Sequence, residues 1–201
     1  MEKFLKKINQ DIENLRVVQY EEHELKSDCQ FLSLKEGFYQ LNNGEVIRRE
    51  SVVSGNGNAV CIFAVTKDKK ILVVIQPRVT LPTKEKVNIE LPAGYVEEGE
   101  NTVQAGMREL EEETGYASDN VILMDSYYTS LGASGERIDL LLALDCVEVG
   151  KQHLDKDEFV LYEVVTLEEF KLLLDSNYIM DVNARLGYYC YLNHLMKEGC
   201  S

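Results

Sequence analysis

The alternation of hydrophobic and polar positions changes rhythm along the chain. Over the first fifteen residues Phe4, Ile8, Ile12 and Leu15 recur at helical spacing, which predicts a short amphipathic helix laid on the body or on a partner chain. From about residue 17 the period shortens. Val17 to Lys26, Phe31 to Leu41 and Glu45 to Val53 read as strands, and Asn43-Gly44 between the last two is a hairpin signal, because tight hairpin turns need residues that tolerate positive φ. Gly55-Asn56-Gly57 breaks the chain before two apolar runs, Ala59 to Thr66 and Lys70 to Gln76, joined by the charged turn Lys67-Asp68-Lys69. These read as core strands. Further on, a strand ends near Leu91, a helix runs from Asn101 to about Thr114, and strands lie near Val121 to Tyr127, Ile138 to Cys146 and Phe159 to Val165. Thr166-Leu167-Glu168-Glu169 has the capping-box pattern of a helix start, and Val182 to Met196 has the length and apolar content of a final helix.

Strands, helix, strands and helices in that order do not form a regular βαβ alternation. The expected class is therefore α+β, a mixed α/β/α sandwich, rather than a parallel doubly wound sheet. Two domains are expected, a helix with antiparallel strands over residues 1–57 and the main domain over residues 58–201. The first is too small to hold a substantial core alone, so it needs a surface to pack on, in the same chain or in a second copy. Its strand aromatics Phe31, Phe38 and Tyr39 are expected in a core, with stacking on a base as the alternative.

Composition narrows the function classes. Twenty-one Lys and Arg against thirty-five Asp and Glu give a formal net charge of −14 on 201 residues. Binding to phosphate backbones needs basic residues that displace counterions, so no nucleic-acid partner is expected. No apolar run approaches the roughly 18 to 20 residues of a membrane-spanning helix, so no membrane partner is expected either. The first residues lack the apolar stretch of a secretory signal. Cys29, Cys61, Cys146, Cys190 and Cys200 are scattered, odd in number and form no C-x-x-C, which argues against a disulfide framework and for a reducing, cytoplasmic location.

The negative charge is concentrated. Between Gly94 and Tyr116, seven glutamates (97, 98, 100, 109, 111, 112 and 113) accompany the single base Arg108, a local charge of −6. Their mutual repulsion disfavours folding unless solvent or cations screen it. Asn101 with Gln104 three residues on marks the helix start. Val103, Met107, Leu110 and Thr114 share a stripe expected to face the core. Glu109, Glu112 and Glu113, at i, i+3 and i+4, are expected on the opposite side, converging on one point, with Ala105 and Gly106 leaving open space beside them. Hard oxygen ligands grouped this way suit Mg²⁺ or Mn²⁺, which keep water and substrate phosphate in their remaining positions. The plain alternative is a solvated helix face, but such a face ordinarily carries lysines at i+4 and this one has none.

The same stretch resembles the Nudix box, G-x5-E-x7-R-E-U-x-E-E-x-G-U with U apolar, at every fixed position: Gly94, Glu100, Arg108, Glu109, Leu110, Glu112, Glu113, Gly115 and Tyr116. The resemblance implies a Nudix fold with an N-terminal β-rich extension. It further implies that Glu109, Glu112 and Glu113 ligate Mg²⁺ or Mn²⁺, with the backbone carbonyl of Ala93 as a further ligand. Arg108 would orient the box through an ion pair with a box glutamate, Glu112 at i+4 being the candidate, although an ordinary helix salt bridge is the local alternative. Glu100 would support the loop or reach metal through water.

Leu91-Pro92-Ala93-Gly94, the preceding Ile89-Glu90 and the late loop Ser130 to Arg137 look like the ADP-ribose pyrophosphatase branch of that family, as does the extension leading through Arg48-Arg49-Glu50. The chain departs from it at Leu131, where proline is common, and at Pro77, where an aromatic residue is common. The branch implies hydrolysis of the diphosphate of a nucleoside diphosphate sugar, with ADP-ribose giving AMP and ribose 5-phosphate. Glu136 would help deprotonate the attacking water, Arg49 and Arg78 would hold the diphosphate, and a homodimer is implied through the extension. On local grounds Glu136, Arg49 and Arg78 read equally as surface side chains. Another nucleoside diphosphate sugar, a dinucleoside polyphosphate, or a non-catalytic nucleotide sensor remain alternatives.

Overall fold

The computed structural model describes residues 2–25, 32–84, 86–154, 156 and 158–199, with the side chains at 2–5 and 8 excepted. Of the positions named above, Lys26, Phe31, Cys29 and Cys200, and the side chains of Phe4 and Ile8, lie outside the described residues. The chain divides into two compact units.

The first unit comprises residues 1–57 and 130–136. Helix α1 (Glu2–Leu15) leads into an antiparallel sheet of β1 (Val17–Leu25), β2 (Leu32–Leu41) and β3 (Val46–Ser54), in spatial order β1-β2-β3. The β2–β3 turn forms at Asn43-Gly44 as its sequence requires, with Gly44 at φ +91°. The loop at 130–136 joins this unit through Val52 N–H, which donates to the Ala133 carbonyl at 2.8 Å. Phe38 is not in a core: it is 43% exposed, and Tyr39 stacks on the exposed Tyr20 with ring centroids 6.0 Å apart. One helix and three strands enclose too little volume to bury both faces of the sheet.

The second unit comprises residues 58–129 and 137–201. Its strands are β4 (Asn58–Thr66), β5 (Ile71–Pro77), β6 (Val87–Glu90), β7 (Ala93–Tyr95), then, after helix α2 (Thr102–Thr114), β8 (Tyr116–Ala117), β9 (Asn120–Tyr128), β10 (Arg137–Glu148) and β11 (Leu161–Val165). Helices α3 (Leu167–Asp175) and α4 (Val182–Lys197) follow. The sheet path is β11-β5-β4-β10-β8, with β6 on β5, β7 on β4 and β9 on β10. Among the described strands of this unit, only β4 and β10 pair in parallel. The short β7 and β8 carry no periodic signal in the sequence.

Alternation of side chains across the sheet makes two cores, as the α/β/α expectation requires. Cys61, Phe63 and Val65 of β4, Ile71 and Val73 of β5, and Ile138, Leu140 and Leu142 of β10 pack with Phe170 of α3 and Ala184, Tyr188 and Tyr191 of α4. Their neighbours Val60, Ile62, Ala64, Leu72, Leu141 and Ala143 pack on the other face with Ala105 and Leu110 of α2. Among the described residues, no helix is long and apolar enough to cross a membrane.

The buried face of α2 is rotated from the expected stripe. Val103 is 42% exposed, whereas Ala105, Gly106, Leu110, Glu113 and Thr114 are buried. The reason is the close approach at Gly106, where an added Cβ would lie 2.5 Å from Leu141 Cδ1 and 3.3 Å from Val60 Cγ2. Gly106 and Ala105 therefore bring helix and sheet together instead of leaving open space beside the carboxylates.

Candidate active site

The site is built on α2 and the segment before it. Asn101 caps the helix by accepting from Gln104 N–H, and the Gln104 side chain accepts from Asn101 N–H, both at 3.0 Å. Gly115 ends it at φ +75°, where a Cβ would lie 2.5 Å from the Gly150 carbonyl oxygen. This fixes why the box closes on glycine: the position needs both left-handed backbone and room for the chain at 150.

Arg108 organises the acids. Its Nε and Nη2 donate as a fork to the two oxygens of Glu100 at 2.9 and 3.0 Å, Nη2 also donates to the Tyr95 carbonyl at 3.0 Å, and Nη1 donates to Glu109 at 2.8 Å and Glu112 at 3.0 Å. The expected pairing with Glu112 is present, but Glu100 takes the fork. These bonds hold the guanidinium pKa above its ordinary value and Glu100 below its own, each chiefly through the other.

Glu113 turns inward. It is 4% exposed and accepts from Ala93 N–H at 3.0 Å. Burial pushes its carboxyl up to about 8, and the charges of Glu109, Glu158 and Glu90 add to the rise. Glu109 is raised too, first by burial, with Arg108 opposing. At Gly94 a Cβ would overlap Glu109 Oε1 and Cδ, so only glycine lets β7 pass this close to the carboxylate.

The three carboxylates therefore do not converge on a single point. Among the described residues no group of three or more His, Cys, Asp or Glu side chains is gathered as a metal site. Arg108 Nη1 lies against Glu109 and Glu112, and Glu113 is directed to Ala93. The donors are nonetheless all hard oxygens on one helix, the kind that fits Mg²⁺ or Mn²⁺.

Arg78, at the end of the β5–β6 hairpin, sends a fork to Glu90 at 2.8 and 2.7 Å. Its pKa is raised, mainly by that bond, and Glu113 also contributes to the rise. Arg78 is thus within electrostatic reach of the acids on α2. Arg49 and Glu136 belong to the first unit, where Arg49 Nη1 donates to the Arg48 carbonyl and Glu136 N–H donates to Ser134 Oγ. Arg49 lines a cavity of about 350 Å³ with Val17, Tyr39, Ile47 and the loop Leu131 to Gly135.

Three residues of the site, Gln152, His153 and Glu158, had no sequence signal. Gln152 Nε2 donates to the Glu113 and Val160 carbonyls, both at 2.8 Å, and His153 N–H donates to the Glu112 carbonyl at 2.8 Å. These bonds pin the segment after β10 to the C-terminal end of α2 and carry Glu158 to where its charge acts on Glu109 and Glu113. No local pattern marks a loop acid that long-range folding brings to a motif.

The sequence model of the family described as NUDIX domain matches residues 55–182. An ADP-ribose pyrophosphatase of Bacillus subtilis (strain 168) is 39% identical over 143 residues, 71% of this chain and 75% of that protein. A methanol dehydrogenase activator of Bacillus methanolicus is 35% identical over 185 residues, 89% of this chain and 97% of that protein. The crystal structure of an ADP compounds hydrolase matches with TM-score 0.77 and 16% identity, covering 94% of this chain and 97% of that one, which supports the fold. With the family match covering more than half of the chain and every fixed letter of the box in place on α2 and its flanks, the chain belongs to the Nudix hydrolase family.

Proposed function

We propose that the chain hydrolyses the diphosphate bond of ADP-ribose to AMP and ribose 5-phosphate, using Mg²⁺ or Mn²⁺. The observation that carries the reading is the set Glu109 and Glu112, tied by Arg108, with Glu113 held by Ala93 N–H beside Gly94, in a chain 39% identical to an ADP-ribose pyrophosphatase. A yeast ADP-ribose pyrophosphatase, from Saccharomyces cerevisiae, is 26% identical over 170 residues and supports the same substrate.

Glu109, Glu112 and Glu113, with the Ala93 carbonyl, would hold the cation. When bound, it supplies charge neutralisation and Lewis-acid polarisation at the phosphoryl oxygens. Arg108, held by Glu100, keeps the helix acids in register. Glu113, protonated near neutrality by its burial, has to release its proton to ligate. Arg78 and Arg49 would each grip diphosphate oxygens, a task for which the planar guanidinium is suited. Glu136 would take a proton from the attacking water, and Glu158, whose charge already acts at Glu109 and Glu113, is the second acid available for that step.

Residues 1–57 would act as a separate dimerisation element in a homodimer, a reading supported by the exposure of every residue of β1. A cytoplasmic location is supported by the free thiols of Cys61, Cys146 and Cys190. The test is hydrolysis of ADP-ribose beside a panel of other nucleoside diphosphate sugars and dinucleoside polyphosphates, with Mg²⁺ and with Mn²⁺. AMP and ribose 5-phosphate in equal amounts are expected. Cleavage of another panel member with ADP-ribose left intact overturns the substrate assignment.

A further inference from the structure

Arg78 is the end point of a buried polar chain that the reaction chemistry alone does not require. Glu90, with 12% of its side chain exposed, accepts from Arg78 Nε and Nη2, from Gln76 Nε2 at 3.3 Å and from Asn88 Nδ2 at 3.1 Å. Asn88, 3% exposed, also donates to Asp181 Oδ2 at 3.4 Å and accepts from Met180 N–H at 3.2 Å. Asp181 in turn caps α4 by accepting from Ala184 N–H at 2.8 Å. The backbone of Arg78 is fixed as well. Its N–H donates to the Lys86 carbonyl at 2.7 Å, and Lys86 Nζ closes the hairpin loop on the carbonyls of Val79 and Leu81.

A guanidinium has two edges that can bind an anion bidentately, the Nε–Nη2 side and the Nη1–Nη2 end. Glu90 takes the first. Nη1 has no partner among the described residues, and the side chain remains 46% exposed. A long, mobile arginine otherwise loses much rotamer freedom when it grips a ligand, and a fork fixed beforehand removes that cost.

We propose that Glu90 is a positioning residue for substrate, holding the Nη1–Nη2 edge of Arg78 ready for one phosphoryl group of a nucleoside diphosphate. The inference rests on the proposed diphosphate hydrolysis and adds to it the residue that fixes the arginine's reach. Glu90 touches no substrate in this role, so its effect must pass through Arg78.

The experiment compares the unaltered chain with Glu90→Gln, Arg78→Ala and the double variant. ADP is titrated calorimetrically with Mg²⁺ present, and KM and kcat are measured on ADP-ribose. Glu90→Gln is expected to weaken ADP binding and raise KM about tenfold, with kcat changed less than threefold. In the Arg78→Ala background the same substitution is expected to change ADP affinity less than twofold. An undiminished effect in that background, a loss confined to kcat, or no ADP binding by the unaltered chain overturns the proposal. If Glu90→Gln fails to fold by circular dichroism, Glu90→Asp, which keeps the charge but retracts it by one methylene, goes through the same cycle with the same criteria. ADP binding without ADP-ribose hydrolysis sinks the proposed activity alone and leaves the Glu90 comparison standing.

Discussion

Glu113 makes a sharp thermodynamic demand. Its carboxyl is 4% exposed, and burial lifts it from the ordinary 4.5 to about 8. Between those values the folded chain holds a proton that the unfolded chain has released, so stability falls as pH rises through this window and is lowest above it. At about 1.4 kcal/mol per pH unit, the span from 4.5 to 8 amounts to about 5 kcal/mol. Replacing Glu113 with Gln keeps an oxygen for Ala93 N–H and abolishes the titration. In metal-free buffer the variant is expected to match the parent near pH 4.5 and to be more stable by about 5 kcal/mol at pH 8.5, while losing hydrolysis. The variant also removes the repulsion between the Glu113 and Glu109 charges at high pH, which acts in the same direction. Urea denaturation of both proteins at half-unit steps from pH 4.5 to 9, with EDTA present, measures the gap directly. A gap that stays constant with pH refutes the burial argument, whatever happens to activity.

Two further substitutions probe the close approaches around α2. Gly94→Ala places a methyl group on the Glu109 carboxylate, so hydrolysis is expected to fall more than tenfold while the melting temperature stays within about 4 °C, because a flexible side-chain end can move aside; activity within twofold of the parent contradicts this. Gly106→Val drives a branched side chain against Leu141, Val60 and Ile62, and overpacking of about 3 kcal/mol is expected to lower the melting temperature by roughly 6–12 °C; an unchanged thermal melt contradicts it.

Strands β4, β5 and β10 were legible because both of their faces are buried against helices. β4 reads as a continuous apolar run in the sequence, and its alternate residues divide between the two cores. The box acids were legible for a related reason: a helix fixes their mutual spacing, so i, i+3 and i+4 survive folding unchanged. Their orientation was not. A hydrophobic stripe weighs side-chain size, and Val103 outweighs Gly106 in that reading; yet the helix docks where backbones can come nearest, at Gly106, which turns Val103 out and Glu113 in. The three-residue β7 and two-residue β8 exist through pairing with β4 and β10, which no local pattern contains. Gln152 and Glu158 escape for the same reason. The same docking divides the charge run itself. Glu111 is exposed and has the ordinary role of a solvated acid, whereas Glu113, two residues away and identical in composition, carries the burial cost that a cation would offset. The rotation of the helix about Gly106, and not the number of glutamates, therefore separates the acid that solubilises from the acid positioned for chemistry.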